Sequence, residues 1–433
     1  MTHRLLFILL ATALGYGCAT RGPGAGDKPL LLATYYTWYS TGDGAHGAWS
    51  SWGTGAPSLY APDGCDPEQV LFPPHIREIS SCAYPLIGPY DSDDPDVVRW
   101  HIRLAKAAGI DAFLVDWWGP AGWQTVPGLT RTAFEDVVLP IAAEEDFKVA
   151  LFDETAQFAD DFDKVKQWAA EYLGRFKDHP AYLHIGGKPV YAVYQVPFDP
   201  RLSAGQAEEL RAHVEQRTGP VYWILDKMAW EKAGGEKRLT VPDAFLELDW
   251  PGAFMMYGTF SVHREHTFDA LAPQYRHYAA RVRAAGRDVV LPVHPGHNNS
   301  KLQTEPYVIP RDEGDTLRGY LRAAEAAHAD AVLVTSFNEW PETTNVEPAV
   351  TWENPYRYLE ILAEWKRKRF RAPDELPRTL RFGAAPERIV YRPQGRLPRG
   401  HAWYPHHRII GPVPHRAPAR MHPRMPGAIG GFR

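Results

Sequence analysis

The chain has 433 residues, of which 45% are hydrophobic and 23% are charged, and its formal net charge is −5. This composition is ordinary for a globular protein and excludes an intrinsically disordered chain or an integral membrane protein as the overall class. The near-neutral charge gives no reason to expect nucleic acid as a partner. A chain of this length holds two or three average domains, or one large α/β barrel.

The first 18 residues have the pattern of an export signal. A polar start at His3 and Arg4 precedes the apolar run Leu5–Leu14, which is interrupted by Thr12. This run is too short to cross a bilayer, since a membrane-spanning helix needs about 20 residues. We therefore expect export to the periplasm, to the cell envelope or to the medium. At Cys18 two outcomes stay open: attachment of a lipid that anchors the protein in the outer membrane, or no attachment.

Two further cysteines, Cys65 and Cys82, are separated by a short segment rich in proline. In an oxidising compartment they predict one disulfide, worth about 3 kcal/mol for a loop of this size. The alternative is a pair of thiols. Neither cysteine lies in a metal-ligand or redox spacing, so we expect no metal site there.

After the linker, residues 19–29, short β-rich runs alternate with segments of helical period. The predicted strands are Leu30–Tyr39, Asp111–Trp118, Lys148–Asp153, Pro189–Tyr194, Val221–Asp226, Ala253–Tyr257, Val289–His294 and Ala331–Phe337. The predicted helices are Asp96–Ala108, Arg131–Glu144, Phe158–Phe176, Ala204–Arg217, Phe268–Ala285 and Asp315–Ala329. Repeated strand–helix alternation predicts a (β/α)₈ TIM barrel as the single catalytic domain, residues 30–371, with a large doubly wound sheet as the alternative.

A barrel requires its functional side chains to follow the carboxyl ends of the strands, where the βα loops build the active site. Polar and aromatic residues stand at these places in every repeat. Those predicted to bind substrate are Tyr36, Trp38, Asp116, Trp117, Trp118, Tyr194, Tyr257, His294, His297 and Asn338. Asp153, Glu154 and Asp226 occupy equivalent places.

The last segment, residues 388–433, contains no Asp or Glu and is rich in Arg, His, Pro and Gly. This composition is typical of a disordered basic tail. It serves either as a solvated spacer or as a weak attachment to anionic envelope polymers.

The most informative stretch surrounds two glutamates, Glu339 and Glu342, directly after the eighth predicted strand. Glycoside hydrolysis needs two carboxyl groups of different protonation state, one that donates a proton and one that acts as base or nucleophile. Trp340 between them is an apolar neighbour that raises a carboxyl pKa by desolvation. On spacing alone, such a pair is more often solvated surface.

The surrounding motifs resemble those of glycoside hydrolase family 99, the endo-α-mannosidases and their relatives. The signature is "TSFNEWPETTNVEPA" at Thr335–Ala349. Similar motifs occur in the same order along the predicted barrel. They are "YYTWY" at Tyr35–Tyr39, "PLIGPYDSDDPDVVRWHI" at Pro85–Ile102, "AGIDAFLVDWWG" at Ala108–Gly119, "GKPVYAVY" at Gly187–Tyr194 and "LPVHPGHNNS" at Leu291–Ser300.

This resemblance implies a (β/α)₈ barrel that cleaves an α-linked oligosaccharide or polysaccharide, as an endo-α-mannosidase-like enzyme. It implies that Glu342 is the general acid/base and that Glu339 draws the proton from the 2-hydroxyl of the substrate. That hydroxyl attacks the anomeric carbon, and water opens the resulting 1,2-anhydro sugar with net retention. Neither a metal nor an organic cofactor is implied.

Four positions depart from the family pattern. Pro341 and Thr343 stand where the family usually has His and Gly, which predicts a different backbone path for the loop. Asp116 replaces a small residue and adds a carboxylate near the pocket. His297 stands where Tyr is frequent.

Two rival functions stay open beside the hydrolase. One is a glycosyltransferase or transglycosylase of surface polysaccharide, and the other is a non-catalytic glycan-binding lipoprotein. The paired glutamates argue against the second, because a binding protein has little need of an acid and a base. His294 and His297 are better read as hydrogen-bonding partners of sugar hydroxyls than as metal ligands. Asp93 or Asp94 is expected to cap the following helix at Pro95.

Overall fold

The computed structural model describes residues 28–53, 65–72, 76–122, 125–155, 161–194, 202–258, 268–302 and 306–377, with 392–393 and 407–408. The predicted export signal, Cys18 and nearly all of the linker lie outside the described residues. The basic tail also lies outside them, except that Arg392–Pro393 pairs with His407–Arg408. Within the described part, no helix is long and apolar enough to cross a membrane.

Eight parallel strands form a closed barrel, which confirms the predicted fold. In chain order they are β1 Leu30–Tyr35, β2 Ala112–Trp117, β3 Lys148–Asp153, β4 Lys188–Val193, β5 Tyr222–Asp226, β6 Ala253–Met255, β7 Asp288–Val293 and β8 Ala331–Val334. Each strand pairs with its sequence neighbours, and β1 pairs with β8 from Leu30↔Ala331 onward. No strand edge of the barrel is therefore left open, which removes a common site of aggregation.

Helices cover the outside of the barrel. They are α1 Pro95–Ala108, α2 Leu129–Thr132, α3 Leu139–Glu144, α4 Phe162–Phe176, α5 Ala204–Thr218, α6 Asp243–Leu246, α7 Phe268–Ala284, α8 Asp315–Ala326 and α9 Arg357–Trp365. A π-helical turn, Ala133–Val138, joins α2 to α3. The sequence did not predict α6 or α9, and it predicted the segment from α2 to α3 as one helix.

Short antiparallel pairs extend the loops. They are Val70–Phe72 with Ile76–Arg77, Ala229–Ala233 with Glu236–Thr240, and His297–Asn298 with Val308–Ile309. His184–Ile185 adds an antiparallel strand before β4. Several predicted strands end earlier than expected, because the chain leaves the sheet before the polar residues. Tyr36, for example, lies just past β1.

The barrel strands are almost continuously buried because helices cover one face and packed side chains fill the other. Aromatic rings pack below the carboxyl ends of the strands. The ring of Tyr35 stacks on Phe113 with centroids 4.6 Å apart, and Phe113 contacts Phe337 at 4.9 Å. These rings form a rigid floor under the loops that follow β1, β2 and β8.

Helix α1 begins and ends as its sequence indicates. The Asp94 carboxylate accepts hydrogen bonds from the backbone N–H groups of Asp96 and Val97, and Pro95 takes the first helical position. The expected cap is therefore Asp94 rather than Asp93. Gly109 ends the helix with a φ of 82°, in the left-handed region that favours glycine.

The predicted disulfide between Cys65 and Cys82 is not formed in this structure. Cys82 Sγ lies 3.1 Å from Ser300 Oγ, and its backbone N–H donates to Thr343 Oγ1 at 3.1 Å. Cys65 is buried. Cys82 thus contacts Ser300 and the loop that follows Glu342.

We predict that Gly109→Ala is more destabilising than Gly186→Ala. Both glycines have positive φ, so an added Cβ costs about 1–2 kcal/mol at either position. At Gly109 the new Cβ would also lie 2.9 Å from Lys366 Cβ, whereas no heavy atom lies within 4 Å at Gly186. We expect about 1 kcal/mol of additional loss at Gly109, measured as free energy of unfolding in urea. Equal losses would show that Lys366 moves away without cost.

Candidate active site

The loop after β8 carries both glutamates and is bound to the end of β1 by Asn338. The Asn338 side chain accepts a hydrogen bond from the Tyr36 backbone N–H at 2.8 Å and donates to the Tyr36 carbonyl at 2.9 Å. Tyr39 OH donates to the Asn338 carbonyl at 2.9 Å and accepts from Trp340 N–H at 3.0 Å. Asn338 was predicted to bind substrate, but it is fully buried and its amide is used within the protein.

A second anchor of the same loop is Glu347, which the sequence analysis did not select. Its Oε2 accepts from the Trp340 indole N–H and from Tyr90 OH, each at 2.8 Å. Its Oε1 lies 3.1 Å from His101 Nε2 on helix α1, and both side chains are fully buried. Tyr35 OH lies 3.0 Å from the other ring nitrogen of His101. This network fixes Trp340, and therefore the backbone between the two glutamates.

The two predicted catalytic glutamates contact each other directly. The backbone N–H of Glu342 donates to Glu339 Oε2 at 2.7 Å, and the Glu339 N–H donates to Ser336 Oγ at 2.8 Å. Glu339 is only 5% exposed, whereas the Glu342 side chain is 32% exposed. Burial, and then the negative charge of Glu342, raise the pKa of Glu339 well above its usual value. Glu339 is therefore harder to ionise than an exposed glutamate.

His297 lies beside the more exposed glutamate. Its Nε2 is 3.7 Å from Glu342 Oε2, and its Nδ1 lies 2.9 Å from the Tyr307 carbonyl. The carbonyl is an acceptor, so it fixes the proton on Nδ1 and turns Nε2 toward Glu342. The structure therefore brings His297 into the site as a neighbour of the catalytic pair.

His294 does not reach the site. It is fully buried at the end of β7, with Nδ1 3.2 Å from the Thr335 carbonyl and its ring edge against Tyr320 of α8. The structure therefore places His294 between strand β7 and helix α8, away from the glutamates, and its predicted contact with sugar hydroxyls stays a prediction.

Three tyrosines form an aromatic wall near the glutamates. The hydroxyls of Tyr36 and Tyr257 are 2.5 Å apart, and the Tyr194 ring meets Tyr257 edge-on at 4.9 Å. Burial raises the pKa of all three hydroxyls, and Glu339 or Glu342 raises each pKa further. The tyrosines therefore stay neutral and can both donate and accept hydrogen bonds. The Trp38 ring packs on Tyr36 at 4.5 Å and extends this wall.

The two tryptophans at the end of β2, Trp117 and Trp118, have different surroundings because successive side chains of a strand alternate in direction. Trp117 is 1% exposed and packs on Tyr172 of α4 at 4.7 Å, so the structure places it in the core rather than in the pocket. Trp118 is partly exposed, and its indole N–H donates to Asp116 Oδ2 at 2.7 Å. Only Trp118 is placed to offer a ring to a sugar.

Thr343, in the loop after Glu342, has a backbone conformation that is typical of glycine. Thr343 has a φ of 53°, in the left-handed region that favours glycine. Its carbonyl accepts from the Arg311 guanidinium at 2.7 Å, which also donates to the Asn345 carbonyl at 2.9 Å. The guanidinium lies between the Trp352 and Tyr358 rings, with centroids 4.6 and 4.5 Å away. These contacts hold Thr343 in a backbone conformation that glycine adopts more easily.

Among the described residues, no group of three or more His, Cys, Asp or Glu side chains is arranged to hold a metal ion. The site is instead a set of carboxyls and tyrosine hydroxyls at the carboxyl ends of the strands. Such a set can donate protons, accept protons and hydrogen-bond to hydroxyl groups.

Comparisons with known proteins agree with this geometry. Residues 28–200 match the family model described as Glycosyl hydrolase family 99. The Mus musculus glycoprotein endo-alpha-1,2-mannosidase-like protein is 25% identical over 368 residues, which cover 77% of this chain and 72% of that protein. The Mus musculus glycoprotein endo-alpha-1,2-mannosidase is 22% identical over 365 residues, covering 78% and 74%.

Among solved structures, the GH99 endo-alpha-mannosidase from Bacteroides thetaiotaomicron superposes with a TM-score of 0.58 at 21% identity. The match covers 78% of this chain and 97% of that one. It supports the barrel fold, and the sequence matches confirm the resemblance to family 99.

We predict that Glu347→Leu destabilises the protein by about 3–5 kcal/mol, because His101, Tyr90 and the Trp340 indole lose their common buried partner. Glu347→Gln keeps one carbonyl acceptor and should cost less. The exposed Glu171→Gln, on α4, is the matched control and should change stability by less than about 0.5 kcal/mol. Free energies of unfolding in urea test this order, and a Glu347→Leu value close to that of the control would contradict it.

Proposed function

We propose that this chain, which is similar to the endo-α-mannosidases of glycoside hydrolase family 99, cleaves an α-mannosidic bond within an oligosaccharide or polysaccharide. The observation that supports this proposal is the contact between Glu339, which is buried, and Glu342, whose side chain is partly exposed. Glu339 lies deep in the pocket, and the backbone N–H of Glu342 is 2.7 Å from its carboxylate. One proton shared by two such carboxyls supplies the acid and the base that the reaction needs.

We assign Glu342 as the acid that protonates the glycosidic oxygen. Its side chain is the more exposed of the two, so it can reach a bond between two sugars. Glu339, deeper in the pocket, takes the proton from the 2-hydroxyl of the sugar being cleaved. His297 lies beside the proposed acid, with its Nε2 3.7 Å from Glu342 Oε2.

The proposed reaction has two steps. As O2 loses its proton to Glu339, it attacks the anomeric carbon, and the leaving oxygen takes the proton of Glu342. The product is a 1,2-anhydro sugar. In the second step Glu342 takes a proton from water, the water oxygen attacks the anomeric carbon, and Glu339 returns its proton to O2. An α-mannoside suits this route because its axial 2-hydroxyl lies opposite the leaving group.

Export to the cell envelope, with or without a lipid on Cys18, is part of the same proposal. It rests on the sequence pattern of the first 18 residues and fits an enzyme whose substrate is an external glycan.

We expect Glu342→Gln to slow cleavage of unactivated manno-oligosaccharides by about 10²–10⁴-fold, the usual contribution of general acid catalysis. Cleavage of aryl α-mannosides should suffer less, because a good leaving group needs little protonation. Glu339→Gln should slow both substrates, because it removes the base. The test is to measure cleavage rates of each variant on manno-oligosaccharides and on aryl α-mannosides, with Glu171→Gln as the control. Full activity of both glutamine variants would refute the assignment.

A substrate without a free 2-hydroxyl separates the proposed route from covalent catalysis. We expect the intact enzyme to fail on 2-deoxy and 2-O-methyl analogues of the cleaved sugar, because the internal nucleophile is missing. Product mass spectrometry and NMR of the anomeric configuration are the measurements. Isolation of a sugar ester on Glu339 would instead indicate an ordinary double displacement. A parallel reaction with an added sugar acceptor tests for transglycosylation.

A further inference from the structure

The residue that follows the proposed acid is held in a conformation that its own side chain disfavours. Thr343 has a φ of 53°. A β-branched residue rarely occupies this left-handed region, because its Cβ comes close to the following carbonyl oxygen. When nothing holds such a residue, the left-handed conformation is less populated than the right-handed one by about 5–30-fold. Contacts with other parts of the chain therefore have to stabilise Thr343.

Hydrogen bonds from two neighbours fix the amide and the hydroxyl of Thr343. Its N–H donates to the Trp340 carbonyl at 2.9 Å, and its Oγ1 donates to the same carbonyl at 3.4 Å. Oγ1 also accepts from the Cys82 backbone N–H at 3.1 Å. These bonds do not involve the Thr343 carbonyl, which has to change direction if the residue leaves the left-handed region.

The Thr343 carbonyl is held by Arg311, which follows the short strand Val308–Ile309 by two residues. Arg311 Nη2 donates to the Thr343 carbonyl at 2.7 Å and to the Asn345 carbonyl at 2.9 Å. The N–H of the same peptide group, that of Thr344, donates to the Glu339 carbonyl at 3.2 Å. The guanidinium bond is therefore the shorter of the two that fix this peptide group.

Arg311 is itself closely packed along its whole length. Its guanidinium carbon lies 4.6 Å from the centroid of the Trp352 ring and 4.5 Å from that of Tyr358. Its stem passes against Gly296, where an added Cβ would lie 2.5 Å from Arg311 Cγ and 3.0 Å from the Ile309 carbonyl oxygen. The side chain has little freedom to move, so it is a fixed point to which the loop is bound.

The β-hairpin that precedes Arg311 also holds Glu342. The Asn298 backbone N–H donates to the Glu342 carbonyl at 2.8 Å. The consecutive carbonyls of Glu342 and Thr343 thus accept hydrogen bonds from one hairpin and from the residue that continues it. On the other side, the Glu342 N–H donates to Glu339 Oε2 at 2.7 Å. The backbone on both sides of the Glu342 side chain is therefore fixed.

We propose that Arg311 is a positioning residue for Glu342: by binding the Thr343 carbonyl, it keeps the loop in the conformation from which the Glu342 carboxyl reaches the glycosidic oxygen. This inference rests on the proposed function, because it takes Glu342 to be the acid. Without the guanidinium, Thr343 leaves the left-handed region in most molecules, and Glu342 turns with it. Glu339, whose N–H donates to Ser336 Oγ at 2.8 Å, keeps its place as the base.

Arg311→Met removes the donors and keeps an unbranched stem beside the two rings. We expect kcat for unactivated manno-oligosaccharides to fall about 5–30-fold, the loss of the left-handed population. For aryl α-mannosides we expect a fall of less than about threefold, because they need little protonation, and KM should change less than about twofold. The control is Arg318→Met on α8, whose guanidinium binds Glu364 at the surface. Its kinetics should equal those of the wild type.

Thr343→Gly separates positioning from a general loss of structure, because glycine adopts a positive φ without support. In this background Arg311→Met should lower kcat less than about threefold on either substrate. A merely structural role of Arg311 would lower both substrates equally and by the same factor in both backgrounds, and that result would overturn the proposal. If Arg311→Met does not fold, Arg311→Lys, which keeps a charge but not the planar fork, carries the same comparison.

A readout without activity keeps the two proposals separate. Amide hydrogen exchange of the peptide that covers residues 339–344, followed by mass spectrometry, should be about 5–30-fold faster in Arg311→Met than in the wild type. Arg318→Met should exchange as the wild type does. Equal exchange in Arg311→Met and the wild type would refute the positioning role. If the wild type cleaves no α-mannoside, the proposed function fails, and the exchange rates still decide whether Arg311 holds this loop.

Discussion

Buried carboxyl groups need hydrogen-bond donors, and this requirement governs how the carboxyl ends of the barrel strands are arranged. Glu347 Oε2 receives an indole N–H and a tyrosine hydroxyl, and its Oε1 lies 3.1 Å from His101 Nε2, so the side chain is a fixed part of the scaffold. Asp153 is supplied by Tyr191 OH at 2.6 Å and by a backbone N–H at 2.8 Å. Glu339 and Asp116 obtain fewer donors, and each faces a second carboxyl. The well-supplied acids hold the site together, whereas burial and a neighbouring negative charge raise the pKa of Glu339 and of Asp116.

Much of the fold follows from the sequence, because strand and helix periods are local properties. Runs such as Lys148–Asp153 have β-branched and aromatic residues bounded by polar ones, and this strand was predicted with its observed bounds. The closing pairs between β1 and β8 follow from the number of repeats. Helix α9 was missed, although its buried residues pack against α1 and α8, since it lies beyond the last predicted strand.

The site was less predictable, because its key contacts join residues far apart in the chain. Glu339 and Glu342 were found from a motif and their place after β8. Glu347, in the same motif, was not selected, because its partner His101 is 246 positions away and lies on a helix. The sequence also did not predict the direction of a side chain at a strand end. Whether a residue points to the pocket, as Trp118 does, or to a helix, as His294 does, depends on where the strand leaves the sheet.

Asp116, the carboxylate that departs from the family pattern, acts on the catalytic glutamates through charge. Its negative charge raises the pKa of Glu339, so the proposed base becomes harder to ionise when Asp116 is itself ionised. Burial raises the pKa of Asp116 to about 7, so this carboxyl gains its charge as the pH rises through that value. A rise in pH therefore has two opposed effects on Glu339: it favours loss of the proton directly, and it opposes that loss through the charge that appears on Asp116.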